Sequence, residues 1–270
     1  MKKLFLLFVL GLTIFSCNRD DEQTQEKEYP LVTKINIDFL SGYSPSPDYF
    51  YFEYDNQNRL IRRNGGFLQQ SQATGYHGFF TDKIYTSLVY TDNLITIEDF
   101  SSDPQFIPLK NSKYITLNSK NQIEIKEIPD FINANLNKKQ VFKYSNNRLT
   151  EILTTFPNMP HYPSPDDFIL TYLEKFYYDS RGNLKKTEYI AQENGKNTEG
   201  KIIRTFENYD NSLNPFKRLY LLDNYFYFSL SKNNYRKYTE TTYDISGTLI
   251  STVIKKFDFN YDSNGNIIIN

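Results

Sequence analysis

The chain has 270 residues with 31 basic and 32 acidic side chains, so it lacks the positive excess with which a nucleic-acid-binding surface neutralises phosphates. It holds 23 tyrosines and 22 phenylalanines but one cysteine, which excludes a disulfide framework within the chain. Aromatic residues favour strands, and Asn and Asp recur at short intervals, as many short strands require. We therefore expect an all-β protein with no nucleic-acid partner.

The chain begins with the features of an export signal. Lys2 and Lys3 precede an apolar run over residues 4–15. This run is too short to span a bilayer, which takes about 20 helical residues. A basic start, a short apolar core and the small residue Ser16 predict a secretory signal peptide over residues 1–16.

Cys17 follows this signal directly and is the only cysteine. The stretch Ile14-Phe15-Ser16-Cys17 resembles the bacterial lipoprotein box, although Phe15 is bulkier than the residue usually found there. The resemblance implies that the Cys17 thiol receives diacylglycerol, that the signal is cut before it, and that the new amino terminus is acylated. Several acyl chains would anchor the protein stably, because each buried CH₂ contributes about 0.8 kcal/mol. The alternative is an ordinary cleaved signal that leaves a free thiol.

Residues 17–29 predict a flexible acidic tether. Residues 18–28 contain no apolar side chain, so they cannot bury enough surface to fold. The acidic run after the cysteine resembles the surface-export signal of lipoproteins in the Bacteroidetes. That resemblance implies a surface-exposed position on the outer membrane; a merely soluble spacer and a periplasmic position are the alternatives. Residues 30–270 then predict a single all-β domain.

The segments after the tether alternate between strands and breaks. Residues 31–40 alternate in polarity and predict a half-buried strand with Ile35, Ile37 and Phe39 on its inner face. Residues 84–100 predict two strands that pair across a compact turn.

Several segments between the predicted strands do not follow this pattern. Residues 64–78 are rich in glycine and glutamine and predict an exposed excursion. Residues 157–165 are rich in proline and predict a long loop rather than a domain boundary, because the same repeat occurs on both sides. Residues 193–200 predict a flexible connector. A local function is expected in such departures: residues 64–78, 157–165 and 210–230.

The repeat is clearest at residues 176–184, FYYDSRGNL. Phe176 and Tyr178 are two residues apart, so both side chains point to the same face of a strand. Asp179 opens a turn because its carboxylate can accept backbone N–H groups of the next residues. Gly182 takes the left-handed position of a three-residue loop with a glycine bulge. The unit is therefore one β-hairpin.

Other copies keep this spacing along the chain. The residues that open their turns are Asp55, Asp179, Asp244 and Asp262, with a weaker copy at Asn118. The left-handed position is taken by Asn or Gly, the residue types that tolerate a positive φ most easily. These residues are Asn58, Asn121, Gly182, Gly247 and Gly265. Residues 142–149 are one residue shorter, and Asn146-Asn147 suits a two-residue type I′ turn.

The motifs Tyr178-Asp179-x-x-Gly182-Asn183-Leu184 and Tyr261-Asp262-x-x-Gly265-Asn266-Ile267 resemble YD repeats. Such Tyr-Asp units occur in RHS-type proteins and in many short Bacteroidetes lipoproteins of unknown function, especially flavobacterial ones. The resemblance covers most of residues 49–270, in degenerate form. RHS shells enclose a cargo with dozens of repeats, and this chain has too few to close such a shell.

One helix is expected. Asn214 suits an N-cap and Pro215 the first turn of a short helix over residues 214–222. Residues 225–230 predict a further strand, with aromatic rings on both faces. The sequence as a whole predicts an all-β antiparallel meander of YD-repeat hairpins. It forms a strongly curled sheet, an open barrel or a sandwich, with ladders of Phe and Tyr in its core.

Few residues suit catalysis or metal binding. His77 and His161 are the only histidines and Cys17 is assigned to lipid, so a His/Cys metal site or a Cys–His nucleophile lacks parts. Both histidines are expected to be exposed loop residues. The repeat aspartates could form the carboxylate pairs of glycoside hydrolysis, about 5–10 Å apart, but each already has a role in a turn. We predict no catalytic residue, no metal and no cofactor.

These observations favour a lipid-anchored protein of the cell envelope that is not an enzyme. A protein or a glycan is the expected ligand of a binding module; a purely structural module is a further reading. The alternative is a glycan-binding or glycan-processing accessory protein, because outward rings of residues 49–52 could stack on sugars. Burial of those rings by the curl of the sheet is the favoured interpretation.

Overall fold

A computed structural model describes residue 29 and residues 31–40, 47–72, 75–161, 167–265 and 267–268. The predicted signal peptide 1–16, the lipidation site Cys17 and the tether up to residue 28 lie outside the described residues.

The described chain is mainly an antiparallel meander, which confirms the predicted fold class. Fourteen strands form one sheet, in which each strand pairs with those before and after it in the chain. In order they are β1 (Lys34–Asn36), β2 (Tyr49–Tyr54), β3 (Leu60–Gln72), β4 (Gly75–Thr91), β5 (Leu94–Ser101), β6 (Lys113–Leu117), β7 (Ile123–Ile128), β8 (Lys138–Ser145), β9 (Arg148–Thr155), β10 (Leu170–Tyr178), β11 (Leu184–Glu193), β12 (Lys196–Glu207), β13 (Lys237–Tyr243) and β14 (Leu249–Lys256). A separate pair, β15 (Asn260–Tyr261) and β16 (Ile267–Ile268), follows.

The sheet is curled so that its two ends approach each other. Phe39 lies in a 3-10 helix directly after β1, and its ring centroid is 5.9 Å from those of Phe257 and Phe259, which follow β14. Within the described residues, no hydrogen-bonded ladder joins β1 to β14. Aromatic rings therefore span the gap that backbone pairing leaves open.

The repeat turns have the predicted structure. One carboxylate oxygen of Asp179 accepts the N–H groups of Arg181 and Asn183, both at 2.9 Å, and Gly182 has a φ of +89°. The amide oxygen of Asn118 accepts two backbone N–H groups in the same way. The same turn occurs at Asp55 and Asp244. A positive φ is found at all five predicted positions and at both residues of Asn146-Asn147.

Tyrosine hydroxyls join several hairpins to the strand pair before them. Tyr90, near the end of β4, donates to the carbonyl of Leu60 at the start of β3, at 2.9 Å. Tyr144, near the end of β8, donates at the same distance to the carbonyl of Ile123 at the start of β7. These bonds satisfy carbonyls beside the turns, where the ladder between strands ends. The tyrosine of the repeat thus has a structural role as well as an aromatic one.

Residues 208–236, between β12 and β13, fill the interior of the curl, and we call them the plug. The plug contains the 3-10 helices Pro215–Leu219 and Asp223–Tyr225 and one α-helix, α1 (Phe226–Ser229). Asn214 caps its first helix, because the side-chain oxygen accepts the N–H of Phe216 at 2.9 Å. Its amide nitrogen donates to the carbonyls of Phe228 and Ser231, at 2.6 and 2.8 Å.

Rings of the plug pack against strands far apart in the sheet. Tyr225 lies 5.8 Å from Phe52 of β2, measured between ring centroids. Phe226 lies 6.1 Å from Phe142 of β8, and Tyr227 lies 5.8 Å from Phe206 of β12. The plug and the inner face of the sheet therefore form one core.

The predicted helix near residues 214–222 occurs as the 3-10 helix Pro215–Leu219. The prediction of a strand over residues 225–230 was wrong, because this segment is helical. An aromatic run with rings on every side fits a helix that is enclosed by a curled sheet as well as it fits a buried strand.

The predicted exposed excursion over residues 64–78 is a two-stranded ribbon of β3 and β4: residues 66–72 pair with residues 75–81 and with no other described strand. Gly66 is needed for close packing: a Cβ at this position would lie 2.4 Å from the side chain of Ile84. Residues 193–200 are not a flexible connector, because Asn194 and Gly195 form a tight turn between β11 and β12 with φ of +50° and +75°.

Replacing the turn carboxylate tests its role as an acceptor. Asp179→Ala removes the partner of two backbone N–H groups, so we expect the free energy of unfolding to fall by about 1–2 kcal/mol. Asp179→Asn is the matched control and should retain most of the wild-type free energy of unfolding, because Asn118 holds the β6–β7 turn through an amide oxygen. Denaturant unfolding measures both. Equal losses in the two variants would contradict the acceptor role.

Candidate functional site

Five hairpin turns gather at one end of the curled sheet, because alternate turns of a meander lie on the same edge. They join β2 to β3, β4 to β5, β6 to β7, β8 to β9 and β10 to β11. We call this the turn end. The 3-10 helix Pro215–Leu219 of the plug reaches it from inside.

The plug bonds to the left-handed residues of three repeat turns. In each of these turns the carbonyl of that residue accepts a hydrogen bond from the plug. The donor and acceptor pairs are Arg218 with Asn58 at 3.2 Å, the Tyr220 hydroxyl with Asn121 at 3.4 Å, and the backbone of Lys232 with Gly182 at 3.4 Å. The repeat thereby fixes the position of the plug at the turn end.

Two adjoining cavities open between the plug and the turns. Their volumes are about 370 and 450 Å³, within the range of sites for small molecules. Tyr29, Asn121, Lys217 and Tyr220 line both. The turns of β8–β9 and β10–β11 border the first cavity, and the turns of β2–β3 and β4–β5 border the second.

The lining of the two cavities is strongly positive. Asp92 is the single carboxylate among the lining residues. The cations are Arg59, Arg148, Arg181, Lys217, Arg218 and Lys232. This excess of positive charge favours an anionic ligand.

Two of these cations have carboxylate partners; Arg148 and Lys232 are exposed, whereas Lys217 is half-buried. Arg59 pairs with Asp55 at 2.7 Å, and Arg181 lies 3.7 Å from Asp179. No carboxylate of the described residues lies within ion-pair distance of Lys217. Its ammonium is half-buried between the cavities, and burial lowers the pKa of Lys217 to about 8. Lys217 is therefore the charge that a bound anion would neutralise.

Tyrosine side chains supply the remaining surface. Tyr144 and Tyr178 line the first cavity and Tyr90 the second. Burial raises the pKa of each hydroxyl above its usual value. Tyr220 projects between the cavities, where its ring and hydroxyl offer an amphipathic surface.

Other charges of the plug and of the neighbouring strands are paired, unlike Lys217. Asp223 binds Lys126 and also Lys113, the latter at 2.6 Å. Burial opposes the ionisation of Asp223, yet the two ammonium groups lower its pKa to about 2. Arg204 bonds to Glu240 and Glu174, at 2.9 and 3.2 Å. The pairs of Asp223 join the plug to β6 and β7, whereas the pairs of Arg204 join β12 to β10 and β13 within the sheet.

The residues singled out from sequence do not converge on this site. Cys17 lies outside the described residues. His77 lies in β4 rather than in a loop, opposite Gln70, so the loop prediction was wrong. His161 lies in an irregular segment, with its Nδ1 3.2 Å from Asp167. The repeat aspartates bond to the backbone of their own turns.

No helix within the described ranges is long and apolar enough to cross a bilayer. Across the same ranges, no three His, Cys, Asp or Glu side chains are grouped as a metal ion would require.

No protein-family model matches the sequence, and no curated protein matches it. Among solved structures, a porin-like protein from Bacteroides uniformis is similar with a TM-score of 0.49 and 14% identity, over 89% of each chain. A porin-like protein from Bacteroides vulgatus gives a TM-score of 0.44 and 17% identity, over 89% of this chain and 90% of that one. Both likenesses concern the fold alone.

Sequence reasoning placed a possible site in residues 210–230 but did not name Lys217. A local signal existed. Phe216, Leu219 and Leu222 are buried at a spacing of three, which is the period of a 3-10 helix and leaves residues 217 and 220 on another face. What the sequence did not contain was the neighbouring surface, which comes from turns up to 160 residues away.

Removing the Lys217 charge should stabilise the protein. A half-buried ammonium without a carboxylate costs free energy, so we expect Lys217→Met to raise the free energy of unfolding at pH 7 by roughly 1–3 kcal/mol. The folded pKa is lowered, so the cost is full below pH 8 and disappears between pH 8 and the unfolded value near 10.5. The difference between variant and wild type should therefore shrink above pH 8. An unchanged or lower stability of Lys217→Met at pH 7 would contradict this cost.

Proposed function

We propose that the protein is a lipid-anchored, non-enzymatic binding protein of the cell envelope, with a surface-exposed position on the outer membrane. Its ligand is an acidic saccharide held at the turn end. One observation carries the binding role: the Lys217 ammonium stands between two cavities without a carboxylate partner.

The chemistry of the lining supports this class of ligand. A carboxylate or sulfate on a sugar would supply the missing counter-charge in a partly desolvated place, where such a bond is worth more than in water. The amide group of Asn121 and the guanidinium group of Arg148 line the first cavity and can bond to hydroxyl groups. Tyr220 offers a ring to the apolar face of a sugar. Concave cavities of this size suit one or two sugar units better than an extended protein surface.

The anchor and the site lie close in sequence. Tyr29, which lines both cavities, is twelve residues after Cys17, and twelve residues reach at most about 40 Å. The carbonyl of Tyr29 also accepts a bond from Arg218 at 3.3 Å. A lipid at Cys17 would thus hold the turn end near the membrane surface.

The anchor is tested by Cys17→Ala. We expect the variant to leave the membrane fraction, because it lacks the thiol that would carry the lipid. Fractionation of cells followed by immunoblotting measures this, and Ser16→Ala serves as the neighbouring control. Full retention of Cys17→Ala in membranes would reject the anchor. Protease treatment of intact cells then separates a surface position, which gives cleavage, from a periplasmic one.

The binding role is tested by calorimetric titration with oligogalacturonate, and with a neutral maltooligosaccharide of equal length. We expect the oligogalacturonate to bind to the wild-type protein. Lys217→Met should weaken this binding roughly 10- to 100-fold, the effect of a lost charged hydrogen bond. Lys110→Gln, at an exposed lysine away from both cavities, should bind like wild type.

The pH dependence gives a second readout. The ammonium is charged below its pKa of about 8, so wild-type affinity should be full at pH 6.5 and fall as pH rises through that value. Lys217→Arg stays charged and should bind without this fall. Equal binding by Lys217→Met and wild type would reject the site. Binding of acidic peptides in place of acidic saccharides would assign the ligand to a protein.

A further inference from the structure

The last hairpin of the sheet exposes an unusual amount of apolar surface. Ile245, in the turn that precedes β14, and Leu249, Ile250, Val253 and Ile254 of β14 are between 45% and 74% exposed. These side chains alternate along β14, so both faces of the strand are apolar. β14 is also the last strand of the sheet, with one edge that no described strand pairs. A long apolar edge of this kind is a template for pairing with another strand.

The opposite end of the sheet does not offer a matching edge. β1 has only three residues, Lys34–Asn36, and two of them are buried. Phe39 next to it is covered by Phe257 and Phe259. A second copy that meets β14 with its own β14 gives a closed two-fold contact rather than an open chain of subunits.

The sequence of β14 suits antiparallel pairing with itself. A two-fold axis through Thr252 would place Ile250 opposite Ile254 of the second copy, and Ser251 opposite its Val253. Lys255 would face Leu249 and would not meet another lysine. Paired β-branched side chains and paired threonines stabilise such contacts. The two lysines that end the strand therefore lie at the margin of the contact, not within it.

We propose that two copies of the chain associate through antiparallel pairing of β14 with β14, centred on Thr252, so that their sheets become continuous. The pairing buries the exposed apolar side chains of both hairpins and satisfies the free backbone groups of both edges. It uses the unpaired edge of β14 and does not involve the residues that line the two cavities.

Charge variants test the pairing and its register together. The full chain with Cys17→Ala, which removes association through lipid, should show about twice the monomer mass by light scattering at micromolar concentration. Adding Ile250→Lys and Ile254→Lys puts ammonium groups opposite each other, and we expect a monomer. Ile250→Lys with Ile254→Glu puts opposite charges together and should restore the dimer. Ile132→Lys, at an exposed isoleucine elsewhere, is the matched control and should remain dimeric.

A cysteine on the axis gives a second measurement that does not depend on tolerance of charge. In the Cys17→Ala chain, Thr252→Cys would be the only cysteine, and mild oxidation should link two copies. Ile132→Cys should remain unlinked. A monomeric wild-type mass at all concentrations would overturn the proposal, as would equal masses of the two charge pairs or open-ended assembly. A monomer that binds phosphatidylglycerol vesicles through β14 would assign this edge to a membrane instead.

Discussion

Packing of the plug against the inner face of the sheet is the contact on which the rest of the molecule depends. The hydrogen-bonded ladder joins each strand only to its neighbours, as in other repeat arrays. Phe52, Phe142 and Phe206, on well-separated strands, meet rings of one short segment. The curl, the position of the turns and the cavities at the turn end therefore all follow from how the plug fills the interior.

The plug contains two kinds of charged group, which serve different purposes. Asp223 is neutralised by Lys113 and Lys126 of the sheet, and these ion pairs fix where the plug lies. Lys217 carries a charge that the described chain does not neutralise, and it faces open space on two sides. A charged group that lowers stability and lies at a cavity is typical of a binding site, in which a ligand of opposite charge neutralises it.

The sequence predicted the structural features that depend on contacts between residues close together in the chain. The turn at Asp179 is formed by contacts within four residues, so spacing was enough to find it. The helical state of residues 225–230 depends on strands from the whole sheet, and an aromatic run is equally compatible with a buried strand. Gly66 was predicted only as part of an exposed excursion, and the sequence did not show that its lack of a side chain serves the packing of Ile84. The role of Lys217 depends on its position beside turns that are distant in sequence, and the sequence alone did not show this position.

The position of the plug along the chain has a consequence for biogenesis. Twelve of the fourteen strands are made before residue 208, so most of the apolar inner face exists before the segment that covers it. Early hairpins can form locally, held by their turns and tyrosine bonds, but they expose rings until the plug arrives. Such intermediates aggregate readily. A chain that folds as it is made from its amino terminus therefore completes its core late, only after residues 208–236 have been added.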